Sequence, residues 1–92
     1  MNVTFDREYR WDGDRYGIAF PAAVDGRRAL CLISGEALQD CFGASGRHDS
    51  MEEAFLRNRQ SIESIARALI ESGRIDQSGQ VLIHGADVAA CA

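Results

Sequence analysis

The amino-acid sequence predicts a two-layer α+β fold: a mainly antiparallel sheet of about four strands, in the order β-β-β-α-α-β, with one short and one long helix packed on one face. Three observations carry this prediction. As far as Ile33, apolar and polar residues alternate at the strand period of two. At Ser34 the period lengthens to that of a helix, and after a polar loop over 43–49 it resumes to Gly73. A short strand-like run then returns at Gln80–His84. Strands that come before helices in the chain leave the helices together on one side of the sheet.

The elements follow in order. Val3 and Phe5 open the first strand, and Tyr9 and Trp11 keep the alternation, so this strand is either interrupted or ended near Asp6. Asp12-Gly13-Asp14 marks a turn, after which Tyr16, Ile18 and Phe20 alternate again. Pro21 lacks a ladder donor, which predicts an edge strand or a bulge over Arg15–Ala23. Asp25-Gly26 is a hairpin signal, because both residue types tolerate positive φ. In Arg27–Ile33 the residues Ala29, Cys31 and Ile33 share one face, and Leu30 and Leu32 share the other. Two apolar faces predict a central strand covered on one side by helices.

Ser34 suits a helix N-cap, with Glu36 in the first turn where the helix dipole favours an anion. Leu38, Cys41 and Phe42 form a short apolar stripe, and Gly43 stops it. After the polar loop 43–49, Ser50 and Glu53 have the spacing of a capping box. The long helix that follows carries Met51, Phe55, Ile62, Ile65, Ala66, Leu69 and Ile70 on one face. Glu53–Arg57, Glu63–Arg67 and Arg67–Glu71 lie four apart with opposite charge on its outer face. Asp76-Gln77-Ser78-Gly79 is a turn, and Asp87 either caps a last Ala-rich turn or precedes a frayed tail over 86–92.

The 92 residues fit one small domain, 1–92. The formal charge is −4, and all ten basic side chains are Arg. The absence of Lys removes Schiff-base and P-loop lysine chemistry. An acidic balance disfavours general nucleic-acid binding. No apolar run approaches the ~20 residues that span a bilayer, and the first residues lack the apolar stretch of a secretory signal, so a cytoplasmic chain is expected with no membrane partner. Three cysteines without CxxC spacing argue against a disulfide scaffold and a zinc site. Cys31 and Cys41 read as inert core thiols. His48 and His84 have no metal-ligand spacing, so neither a metal nor another cofactor is expected. Arg47 in the loop before a helix N-terminus suits an anion, but Asp49, Glu52 and Glu53 oppose one, which leaves a linker as the better reading. Tyr9 and Trp11 either anchor a partner or close the open end of a small core.

The least ordinary positions are in the long helix. Asn58 falls inside the apolar sector of the helical wheel, and Arg59 lies at its edge, one turn before Glu63. A buried unpaired amide costs on the order of 1–3 kcal/mol, so these groups must find partners. In a structural reading Asn58 bonds to backbone of the sheet or of the 43–49 loop, and Arg59 pairs with Glu63 or Glu36. In a functional one Asn58, Arg59 and Glu63 line a small polar pocket, with Arg59 holding an anion by its planar fork.

Scattered positions along nearly the whole chain resemble a family of short bacterial proteins known as domain of unknown function 1488. They include Val3-Thr4-Phe5, Gly17-Ile18-Ala19-Phe20, Leu30-Cys31-Leu32-Ile33-Ser34, Glu36-Ala37-Leu38-Gln39-Asp40 and Phe42-Gly43-Ala44. Ala54-Phe55, Asn58-Arg59, Ile62-Glu63, Ile65-Ala66 and Gly79-Gln80-Val81 belong to the same pattern. The resemblance implies a small stand-alone α+β protein and brings no activity, cofactor or catalytic residue. It includes Asn58-Arg59 and Ile62-Glu63, which marks them as integral to the fold.

No convergent catalytic set emerges. The leading expectation is a non-catalytic interaction or regulatory module, whose partner is another protein or a second copy. A small-molecule binding domain for an anionic ligand, or a minor enzyme, using Asn58, Arg59 and Glu63, is the alternative, with Glu36 as a further candidate binding residue. Weak nucleic-acid binding through Arg27-Arg28 and Arg7, Arg10 and Arg15 is the third.

Overall fold

A computed structural model describes residues 1–89 and 91. The strands are β1 (Val3–Phe5), β2 (Arg10–Asp12), β3 (Gly17–Val24), β4 (Arg27–Ser34) and β5 (Gln80–Ile83), and the helices are α1 (Gly35–Phe42), α2 (His48–Arg57) and α3 (Arg59–Glu71). The α+β class is as predicted. β3 runs antiparallel to β1, β2 and β4, whereas β5 pairs with β4 in parallel. Parallel pairing follows from the crossover, because the chain traverses all three helices between β4 and β5.

The first strand is interrupted, as its alternation allowed. β1 pairs with Ala22–Val24 and β2 with Gly17–Ala19, while Asp6–Tyr9 loops out between them. The sheet therefore has five strands rather than four. The same gap explains Pro21. It sits in a central strand, not at an edge, and pairs with Leu30 of β4. On its other side neither β1 nor β2 reaches it, so the strand tolerates a residue without an N–H. The Asp25-Gly26 hairpin forms with both φ values positive, 52° and 84°, as the tight turn requires.

The larger departure is in the helices. The single long helix is two, α2 and α3, broken at Asn58, where φ is −112° and ψ is 19°. The Asn58 side chain donates to the Ala54 carbonyl at 2.8 Å, beside the Asn58 backbone N–H, which reaches the same carbonyl at 3.1 Å. The apolar stripe survives the break: Met51 and Phe55 enter the core from α2, and Ile62, Ala66 and Ile70 from α3. The expected capping box does not form. α2 begins at His48, and the Ser50 hydroxyl accepts from the Ser45 amide instead. Ser34 does cap α1, accepting from the Ala37 amide at 3.1 Å, and Gly43 ends it in the left-handed region.

One face of the sheet meets the helices. Ile18, Phe20, Ala29, Cys31, Ile33, Val81 and Ile83 point inward against Leu38, Met51, Phe55 and Ile62, all buried. Alternation puts Ala19, Pro21, Ala23, Leu30, Leu32 and Leu82 on the opposite face, which no helix covers. Beyond β5 the chain makes a short 3₁₀ turn, Gly85–Asp87, with the Asp87 carboxylate accepting from the His84 amide at 2.9 Å. Asp87 thus closes this turn rather than opening a helical one. Cys91 is joined to Cys41 of α1 by a disulfide, which the odd cysteine count did not suggest. The expected fraying over 86–92 includes Ala90 and Ala92, which lie outside the described residues.

Candidate functional site

The sequence singled out Asn58, Arg59, Glu63 and Glu36. The structure brings the first three together at the α2–α3 junction and leaves Glu36 exposed in the first turn of α1. The amide of Asn58 is satisfied within its own helix, not by the sheet or the 43–49 loop. Arg59 is the centre of the cluster. Its Nε donates to Glu63 at 2.8 Å, and both side chains are mostly buried. Its Nη atoms donate to three successive carbonyls of the outlooped segment: Asp6 at 2.7 Å, Arg7 at 3.0 Å and Glu8 at 2.9 Å. The guanidinium also lies over the rings of Phe55 and Phe20, at 5.2 and 5.9 Å from their centres.

This geometry fits the chemistry of the side chain. A planar fork with five donors can satisfy several carbonyls that have no strand partner, and a looped-out segment presents such carbonyls. Arg67, two turns on, does the same for β1. It donates to the Val3 carbonyl at 3.1 Å and lies over Phe5, rather than pairing with Glu63 or Glu71. The two arginines of α3 thus hold β1 and the Asp6–Tyr9 loop against the helix layer.

The same loop forms one wall of a groove on the opposite face. The groove has a floor of Ala19, Pro21 and Leu30, with Arg7, Arg10 and Arg28 at its rim beside Glu8, and a volume of about 350 Å³. A second depression of about 280 Å³ continues from it along β3 and shares Pro21 and Arg28. The charge around it is distinctive. Arg15, Arg47, Arg57, Arg59, Arg67 and Arg74 all donate to carboxylates, amides or carbonyls. Arg7, Arg10, Arg27 and Arg28 make no side-chain hydrogen bond or salt bridge to any described residue. Three of those four rim the groove. Arg7, Arg10 and Arg28 entered the sequence reading only through nucleic-acid binding. Nothing in the sequence shows that β2 and β4 bring Arg10 and Arg28 to opposite sides of one depression, because that depends on strand register.

The thiol of Cys31 is not an activated nucleophile. Cys31 is buried beneath the helices, and loss of solvent, with some help from the Glu63 charge, pushes its thiol up to about 12. A thiol in that state stays protonated and unreactive. His48 stacks on Trp11 at 4.6 Å and lies 3.5 Å from Glu52, which also accepts from the Tyr9 hydroxyl at 3.1 Å. Tyr9 packs on Phe55, and Trp11 packs edge-on against Tyr16. These aromatic side chains cover the end of the core. Among the described residues no three His, Cys, Asp or Glu side chains converge as metal ligands would.

Fold and site define a small α+β protein whose sheet is covered on one face and carries an arginine-rimmed groove on the other. The chain belongs to the family described as protein of unknown function (DUF1488), whose model matches residues 3–83. It is 35% identical over 79 residues to the uncharacterized protein YrdB of Escherichia coli K12, covering 83% of this chain and 87% of that one. The match to the uncharacterized protein YrdB of Shigella flexneri has the same identity and coverage. A crystal structure of a DUF1488 protein of unknown function from Shewanella loihica PV-4 has the same fold. Its TM-score is 0.76 at 24% identity, over 90% of this chain and 94% of that chain. No helix among the described residues is long and apolar enough to cross a membrane.

Proposed function

We propose that this chain is a single-domain, non-catalytic binding module of the cytoplasm, and that it works through the uncovered face of its sheet. The observation that carries the reading is the division of its arginines. Arg57, Arg59 and Arg67 of the helices are occupied by the protein itself, as is Arg15 beyond the groove on the open face, whereas Arg7, Arg10 and Arg28 are unoccupied around an apolar groove. Guanidinium groups without a partner in their own chain are suited to charged groups on another. In this reading Asn58, Arg59 and Glu63 serve the face from behind, since Arg59 fixes the loop that forms the groove wall. Glu36 has no part in it. In a reducing cytoplasm Cys41 and Cys91 exist largely as thiols, and the groove, built on β2, β3 and β4, does not depend on their bond.

The test is a matched capture from the native cell, using the tagged chain and two charge-reversed forms. Arg10→Glu with Arg28→Glu removes the retained partners, whereas Arg57→Glu on the helix side retains them. Equal retention by all three overturns the reading.

A further inference from the structure

We propose that the groove takes an extended acidic segment of another protein, in which two carboxylate side chains flank an apolar one at alternate positions. This rests on the reading of the open sheet face as the binding face. The groove runs along β3, with an apolar floor at Ala19, Pro21 and Leu30. Arg10 is paired with Ala19 and Arg28 with Ala23, so the two guanidinium groups start from positions four residues apart along the same strand. At the strand rise this is about 13 Å along β3, with Arg10 and Arg28 each one strand spacing, about 5 Å, to either side of it. An extended peptide has the same rise, and its side chains at i, i+2 and i+4 fall on one face. Acidic residues at i and i+4 therefore reach Arg10 and Arg28, while an apolar residue at i+2 lies over Pro21. Arg7 adds a third cation on the loop side.

Other occupants fit less well. Glu8 and Asp6 border the two depressions and oppose any anion. A nucleic-acid strand sets a charge there on every nucleotide, whereas the peptide sets two, each beside an arginine, and the strand also draws on aromatic platforms for its bases. The two aromatic residues that border the depressions, Tyr9 and Phe5, pack their rings against Phe55 and Phe20 of the core. A second copy docked face to face sets arginine against arginine. A small carboxylate would stay largely in solvent, since the groove is open along its length and ligand pockets bury most of their occupant.

The experiment titrates the intact chain with a fluorescein-labelled peptide, Gly-Ser-Glu-Thr-Leu-Thr-Glu-Ser-Gly, and follows both anisotropy and amide chemical shifts. A peptide of the same composition with its glutamates adjacent, a ten-nucleotide deoxythymidylate and free succinate are run beside it. The spaced peptide binds, moves the amides of Ala19 and Leu30, and outcompetes the other three. Arg10→Glu and Arg28→Glu each weaken it by about tenfold, the loss of one charge-assisted pair. Arg57→Glu, exposed on α2, leaves it unchanged. Absence of shifts on the sheet face, unchanged affinity in Arg10→Glu, or tighter binding of the deoxythymidylate or of succinate overturns the proposal. If the spaced peptide fails while the charge-reversed chain still loses its captured partners, the binding face stands and the acidic-peptide chemistry falls.

Discussion

The two faces of this sheet use the same side chain in opposite ways. Toward the helices, Arg59 spends its guanidinium on one carboxylate and three carbonyls and lies over two aromatic rings. Away from them, Arg10 and Arg28 make no side-chain hydrogen bond or salt bridge to any described residue. The difference teaches that arginine content by itself separates neither role. What separates them is whether an acceptor stands nearby, which for Arg59 and Arg67 is a backbone carbonyl and for Arg15, Arg47, Arg57 and Arg74 a carboxylate. The Asp6–Tyr9 loop has no strand partner, so its carbonyls need donors from elsewhere, and α3 supplies them.

The largest effect that sharpens this contrast is expected at Arg59. Arg59→Ala removes four hydrogen bonds and leaves Glu63 and the loop carbonyls short of donors, at a cost of about 3–4 kcal/mol in urea unfolding. Amide exchange quickens across Asp6–Tyr9 in the same variant. Next comes the bond from α1 to the chain end. Cys91→Ser lowers stability by about 2–4 kcal/mol in oxidising buffer, because the bond closes a loop long enough to restrict the unfolded chain. The wild type in reductant should match the variant, and neither change moves peptide binding. Smaller still is the alkaline response of the core. The unfolded Cys31 thiol ionises near its ordinary value of 9.0, while the folded one holds its proton to about 12. The unfolded state sheds its proton first, so this contribution is complete below pH 9.0 and is lost as pH rises toward 12. Cys31→Ala flattens that slope, and a stability curve of unchanged slope in the variant would count against a buried neutral thiol.

The strands were legible because alternation and turn chemistry are local. The hairpin at Asp25-Gly26, the inward set Ala29, Cys31 and Ile33, and the interruption after Phe5 all follow from neighbours in sequence. The break at Asn58 was visible only as a polar residue in an apolar sector. A wheel drawn through it assumes the helix continues, whereas the backbone leaves helical geometry at this residue. The partners of Arg59 were hidden by distance, since Glu8 lies 51 positions away along the chain. Glu63, one turn on, was the partner of Arg59 that helical spacing revealed, as it revealed Glu53 for Arg57. The groove was least legible of all. It exists because β1 and β2 leave a gap opposite Pro21, and register, not composition, sets which arginines border that gap.

The most direct test of the account is the unfolding free energy of the Arg10→Ala/Arg28→Ala double variant, measured in urea beside Arg59→Ala. Both arginines are exposed and take no part in holding the fold, so the double variant should lie within about 0.5 kcal/mol of the wild type while Arg59→Ala loses several times more. A double variant as destabilised as Arg59→Ala would mean that the open face, too, is held together by its arginines, and would contradict the account.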